Sequence, residues 1–204
     1  VVPLYWEKKI IGFYGVDNPP AESLDYVSDM LHIMGSFIVS SIRRRNLLRQ
    51  LERMSYRDQL TQFGNRYAVD WFVEHEWNGE QIGVVYCDIT GLKKVNDEQG
   101  HEAGDRLIIR ACECLAGVFK GYGLYRIGGD EFLVLCLGIE EKDLREHVEK
   151  LRMDMKEHQV TMAVGMIWKE HGPKDIDLLL NESERLMYED KDRYYKKHGL
   201  KRRR

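Results

Sequence analysis

Two acidic positions sit where packing alone would not put them. In RIGGDEFLVL, residues 126–135, Gly128, Gly129, Asp130 and Glu131 interrupt what would otherwise be one apolar strand. A hairpin turn needs only glycine or Asp-Gly. A second adjacent acid adds repulsion, and neighbouring carboxylates repel unless a cation lies between them. The other position is Asp88, which follows the apolar run 82–87. It is expected at the carboxyl end of a central strand, where ligands bind in open α/β sheets. If the strands flanking the turn neighbour the 81–89 strand, Asp88 and Asp130 approach each other across the sheet. Carboxylate oxygens are hard donors that suit Mg²⁺. Gly128 and Gly129, lacking Cβ atoms, would let a ligand approach the backbone closely.

The block TGLKKVNDEQGHEAGD, residues 90–105, adds complementary groups. Lys93 and Lys94 follow the acidic strand end, as cations for phosphates would. Asn96 and Asp105 supply an amide and a carboxylate, a pair that suits the N1–H and N2–H₂ donors on the guanine edge. His101 would hold this loop or touch the ligand. Each residue also has a plainer reading: Asn96 and Asp97 as a turn, Asp105 as a helix N-cap, His101 as a structural hydrogen-bonder.

These residues need elements to position them. Residues 1–16 read as a β-hairpin, PLYW and IIGFYGV around a polar turn at Glu7, Lys8 and Lys9, stopped by Asp17, Asn18, Pro19 and Pro20. Glu22 or Ser23 then opens a long helix with apolar residues at Leu24, Val27, Leu31, Met34 and Ile38, a coiled-coil seam. The register slips near Arg43, Arg44 and Arg45 and resumes at Leu47, Leu51 and Met54. A lone hairpin is not stable, so residues 1–20 read as the end of a longer domain and the helix as its output arm. From Tyr56 the pattern gives a helix over 66–76, a strand over 81–89, polar Gly-rich sequence, and a helix from about Asp105 to Lys120. The strands around residues 128–131 follow, then a charged helix near 140–158, a strand over 160–168 and a helix from about Asp175 to His198. Alternating strands and helices with a central hairpin predict an α/β sheet covered by helices.

Composition narrows the class. At 204 residues and 43% hydrophobic, the chain can bury a core. A net charge of −3 gives no field that would draw nucleic acid. The basic runs at 43–45 and 201–204 read as a solvated helix face and a frayed tail. The four cysteines show no zinc spacing and read as reduced thiols in the cytoplasm. The stretch LHIMGSFIVSSI, residues 31–42, falls short of the ~20 residues that span a bilayer, and no signal peptide is visible. The opening Val1-Val2 in place of Met suggests a fragment of something longer.

Taken together, DQLTQFGNR (58–66), DITGLKKVNDEQGHEAGD (88–105), RIGGDEF (126–132) and MYEDKDRYYKKHG (187–199) resemble, in order and spacing, the GGDEF family of diguanylate cyclases. The resemblance covers about residues 55–199. Residues 1–40 more weakly resemble the end of a GAF sensory domain, through GFYGVDNP and the helix after it. The implied organisation is a truncated GAF-like domain at 1–40, a signalling helix at 41–56 and a GGDEF domain at 57–204.

The resemblance implies a GGDEF-type, nucleotidyl-cyclase-like fold and a reaction. Two GTP molecules are condensed into cyclic di-GMP with release of pyrophosphate, by two domains facing each other, each holding one GTP. It assigns the metal, Mg²⁺ with Mn²⁺ able to substitute, to Asp88, Asp130 and the backbone carbonyl of Ile89. Asn96 and Asp105 would bind guanine, with His101 close by and Gly128 and Gly129 lining the site. Lys93 would steady phosphate charge, and Lys191 would reach the terminal phosphates. Glu131 would assist deprotonation of the 3′-OH or order the loop, with Asp130 the other candidate acceptor. The helix 24–55 would hold a homodimer together, its register slip letting an upstream signal rotate the domains. The rival is a silent GGDEF domain that binds GTP as a switch.

Departures from the family pattern are specific. Thr90 stands in place of a second acid, Tyr195 replaces an arginine in the last helix, and Phe119 and Tyr122 occupy the positions of an inhibitory Arg-x-x-Asp. No product inhibition is therefore expected through that site. Arg193, Lys196 or the tail are the candidates to replace the missing arginine.

Overall fold

A computed structural model describes every residue except 7, 8, 19, 21, 23, 55 and 200–204. The expected turn at Glu7 and Lys8, the stop at Pro19, the helix start at Ser23 and the basic tail at 201–204 therefore lie outside the described residues. The chain divides into two units, residues 1–55 and 56–204.

In the first unit, β1 (Val2–Trp6) and β2 (Lys9–Tyr14) form an antiparallel pair whose register shifts between Leu4 and Tyr5. The helix α1 (Leu24–Met54) runs unbroken through Arg43, Arg44 and Arg45. The hairpin packs onto one side of it: Tyr14 donates its hydroxyl to the Leu31 carbonyl, and Gly35 faces the side chains of Leu4 and Tyr14. Val2 and Leu31 are buried. Part of the expected seam is thus covered by the chain's own hairpin. Among the described residues of α1, Tyr26, Met30, Ile33, Met34 and Phe37 stand in solvent, as do Leu47, Leu48 and Leu51 further along.

The second unit is an antiparallel sheet in the order β4-β5-β3-β6, built from β3 (Ile82–Ile89), β4 (Gly123–Arg126), β5 (Glu131–Leu137) and β6 (Met162–Lys169). The central strand β3 is buried along its whole length. Side chains alternate between faces. Val85, Cys87 and Ile89 join the core under α3 (Leu92–Gln99), α4 (His101–Val118) and α5 (Glu141–Glu157). Ile82, Val84 and Tyr86 face α2 (Arg66–His75) and α6 (Asp177–Lys197).

The helix α6 approaches the sheet closely because β6 carries Gly165. A Cβ there would lie 2.1 Å from the Ser183 carbonyl oxygen and 2.3 Å from the Met187 nitrogen. The four cysteines are buried and unbridged. Burial pushes the thiols of Cys87, Cys112 and Cys136 up to about 12, so they pack as small apolar groups.

The structure corrects the sequence reading in one place. The polar stretch after β3 is helical as α3, and the next helix begins at His101, not near Asp105. Gly91 (φ +89°) and Gly100 (φ +85°) bound α3, and these left-handed glycines gave the stretch its loop-like look.

Candidate active site

The site starts from the pairing of β3 with β5. Asp88 and Glu131 stand directly opposite each other in this ladder, so both side chains lie on the α6 face. One residue on, the Ile89 N–H donates to the Asp130 carbonyl at 2.9 Å. The turn at 127–131 closes as the N–H groups of Ile127 and Gly128 donate to the Glu131 carbonyl at 3.0 and 3.4 Å.

The two glycines of the turn do different work. A Cβ on Gly128 would meet Glu131 Oε2 at 2.5 Å, so the bare residue lets the Glu131 side chain fold back over the turn. A Cβ on Gly129 would have nothing within 4 Å. The second glycine faces open space, room that a ligand could use.

Asp88 is 3% exposed, and a buried carboxylate needs a counter-charge. Lys191, on α6, supplies it at 2.7 Å. Burial raises the pKa of Glu131, and the charges of Asp130, Asp88 and Glu184 raise it further against the opposing effect of Lys191. The acids at 88, 130 and 131 therefore share one electrostatic neighbourhood.

Arg126 steadies the turn from behind. It donates to both oxygens of Asp58 at 3.1 and 3.3 Å and to the Gly129 carbonyl at 2.7 Å. Asp58 also accepts from the Thr61 N–H and hydroxyl at 2.8 and 2.7 Å. Burial alone would raise the pKa of Asp58; the bonds from Thr61 and Arg126 outweigh it and hold the carboxyl below its usual value. The sequence reading missed this clamp. The only signal was an acid and an arginine inside two of the quoted motifs.

A second anchor, also missed, fixes α6. Asp190 accepts from the Val164 N–H on β6 at 2.9 Å and from Arg152 on α5 at 3.2 Å. It sits one residue before Lys191 and so sets where that lysine starts.

The remaining candidates lie on α3 and α4. Lys93 and Asn96 are on α3, while His101 and Asp105 are in the first turns of α4. Asp105 is not an N-cap: Gly100 holds that place. Lys93, His101 and Asp105 are exposed. The Asn96 amide rests on Gly104, where a Cβ would come within 1.9 Å of its Oδ1. That oxygen is buried and without a hydrogen-bond partner among the described residues.

The departures also have a structural form. Phe119 is fully buried, and its ring lies 5.6 Å from that of His147, with Tyr122 at 6.0 Å from the same imidazole. An aromatic cluster fills those positions. Tyr195 packs edge-on against Tyr194, and Arg193 is paired with Asp190 at 3.1 Å.

No group of three or more acidic, histidine or cysteine side chains poised to hold a metal exists among the described residues. The expected donor set is smaller: two carboxylates and one carbonyl. A buried carboxylate that already draws in a cation, beside a Glu131 whose proton affinity the neighbouring acids raise, fits a hard divalent ion.

A family model described as "Diguanylate cyclase, GGDEF domain" matches residues 55–197. Diguanylate cyclase DgcP of Escherichia coli is 26% identical over 79% of this chain and 54% of its own length. The bifunctional diguanylate cyclase/cyclic di-GMP phosphodiesterase MucR of Pseudomonas aeruginosa is 29% identical over 77% of this chain and 25% of its own. Among solved structures, the coiled coil and GGDEF domain of DgcB from Caulobacter crescentus, in complex with c-di-GMP, superposes with a TM-score of 0.60. It shares 20% identity and covers 84% of this chain and 96% of its own. The chain spans between about a seventh and about half of the length of the curated relatives it matches.

Proposed function

Because the chain belongs to the GGDEF domain family of diguanylate cyclases, we propose that its unit 56–204 joins two GTP molecules into cyclic di-GMP, with one GTP held by each of two facing copies. The observation that carries this reading is the junction of β3 and β5. There Asp88 and Glu131 face each other, and the Asp130 backbone is bonded to Ile89.

Asp88, Asp130 and the Ile89 carbonyl would hold a divalent ion. When bound, that ion, Mg²⁺ or in its place Mn²⁺, neutralises the triphosphate and the departing pyrophosphate. Asn96 and Asp105 accept the guanine donors, and His101 borders the nucleotide. Gly128 and Gly129 let the phosphates approach the turn. Lys93 and Lys191 balance phosphate charge.

Each transfer forms a bond from the 3′ oxygen of one nucleotide to the α-phosphorus of the other, breaks the α–β anhydride, and gives the 3′ proton to a base. Glu131 suits that role because its raised pKa brings it closer to neutrality; Asp130 is the other acceptor in reach of the turn. Catalysis is then largely positioning, which requires two copies. The helix at 24–55 supplies the homodimer. A GAF-like segment at 1–40 and a signalling helix at 41–56 complete the reading, with the domain proper at 57–204. No nucleic acid and no membrane enters it. Among the described residues no helix is long and apolar enough to cross a membrane. Four reduced thiols and a need for GTP support a cytoplasmic location in this reading.

A second reading has one observation in its favour. A relative that aligns with 72% of this chain, PdeR of E. coli, is a cyclic di-GMP phosphodiesterase by name. This domain thus also occurs in proteins named for another activity, and a silent, GTP-binding switch is the alternative. One experiment separates them: dimeric protein is incubated with GTP and Mg²⁺ and the products are identified by mass spectrometry. Cyclic di-GMP from the wild type and none from Asp130→Ala supports the cyclase. GTP bound by a dimer with no product supports the switch.

A further inference from the structure

Lys191 meets its partner across the fold. It lies 103 residues from Asp88 in sequence, yet its ammonium sits 2.7 Å from the carboxylate, and both side chains are withdrawn from solvent at 15% and 4% exposed. The backbone of α6 is fixed here by the close approach at Gly165 and by Asp190 on the Val164 N–H. The lysine stem is not: four methylenes give its ammonium several ångströms of travel about a fixed Cα. A phosphate role for Lys191 and a metal role for Asp88 thus conflict in the structure as it stands. The two groups neutralise each other.

Resting on the cyclase reading above, we propose that Lys191 is a displaceable counter-ion. It occupies Asp88 in the metal-free protein, leaves when a divalent cation arrives, and is thereby released to a polyphosphate. The physical reason is charge balance. Asp88 is too buried for water to solvate its charge, so some cation must always accompany it. A divalent ion at that carboxylate would repel the ammonium. Once expelled, Lys191 is an uncompensated cation at the edge of the same site, and an anionic phosphate is the group that satisfies it. Cation and nucleotide binding are therefore coupled: each makes the other more favourable, by the same factor.

The test measures Mn²⁺ binding to the nucleotide-free full chain, by calorimetry or by electron paramagnetic resonance, in the wild type, Lys191→Met and Asp88→Asn. Removing the competing cation should tighten Mn²⁺ binding about tenfold or more, and Asp88→Asn should abolish it. A second measurement needs no variant. Amine acetylation of wild-type Lys191, read by mass spectrometry, should be slow without Mn²⁺ and rise as the Asp88-dependent site fills. Equal or weaker Mn²⁺ affinity in folded Lys191→Met overturns the proposal. So does acetylation of Lys191 that is indifferent to bound Mn²⁺, which also decides the matter if Lys191→Met does not fold. If Asp88→Asn binds Mn²⁺ like the wild type, the metal role of Asp88 fails and the exchange fails with it. If Asp88→Asn loses the ion while Lys191→Met is unchanged, the exchange alone fails.

Discussion

The guanidinium of Arg126 divides its donors between the Asp58 carboxylate and the Gly129 carbonyl, so the turn carrying Asp130 and Glu131 hangs on a residue 68 positions earlier. Asp58→Asn keeps the shape and removes the charge. Hydrogen bonds to charged groups contribute about 1.5–3 kcal/mol, and a loss of that order is expected in a thermal or urea melt at neutral pH. Its pH dependence gives the sign. A carboxyl held below its usual value in the fold stabilises the protein above the unfolded value of 3.8 and loses that contribution as pH falls toward the depressed value. The gap between wild type and Asp58→Asn should therefore close in acid, and a gap that does not narrow would assign the effect to shape. Gly104 offers a separate test, because its missing Cβ leaves the space taken by the Asn96 amide. Gly104→Ala should raise the KM for GTP about fivefold to tenfold, the loss of one hydrogen bond, with less effect on kcat. At this scale the sequence is informative about Asp88, Asp130 and Glu131, because paired acids beside glycines are a local pattern. It says nothing of the Asp58–Arg126 and Asp190–Arg152 links, since partners so far apart leave no local trace.

Elements were legible where periodicity was strong. The fully buried β3 and the amphipathic α5 have bounds close to those expected, because burial on two faces and on one face write different repeats. The short α3 was not legible: among Leu92–Gln99 only Leu92 and Val95 are apolar, and glycines stand at both ends. Gly165 was invisible for another reason. A glycine inside a strand pattern signals close approach without saying of what, and here it is the α6 backbone. Gly165→Ala should force the helix outward and cost about 1–3 kcal/mol by overpacking. For a chain of this size that is a fall of very roughly 2–4 °C in Tm for each kcal/mol. Because α6 carries Lys191, the same variant should lose more activity than its remaining folded fraction explains. Activity that simply tracks the folded fraction would show that α6 repacks without disturbing its lysine.

The proposed reaction needs two facing sites, which would make assembly part of catalysis, and α1 carries a surface that could serve it. The expected seam at Leu24, Val27, Leu31, Met34 and Ile38 is partly under the hairpin, where Leu31 is buried. Tyr26, Ile33 and Phe37, between 72% and 74% exposed, with Met30 beside them, repeat at intervals of four, three and four. That spacing is itself a heptad stripe, and it points away from the side the hairpin covers. A second copy of the helix laid along this stripe would bury it, tether two domains and raise the effective concentration of one for the other toward millimolar. Ile33→Glu combined with Phe37→Glu places charge on the stripe and changes no residue of the 56–204 unit. The double variant should elute as a monomer in light-scattering chromatography and keep the melting transition of the 56–204 unit. Its product formation should rise with the square of protein concentration and fall at least about tenfold below wild type at micromolar protein. Wild-type dimerisation and rate in this variant would mean that the copies meet elsewhere.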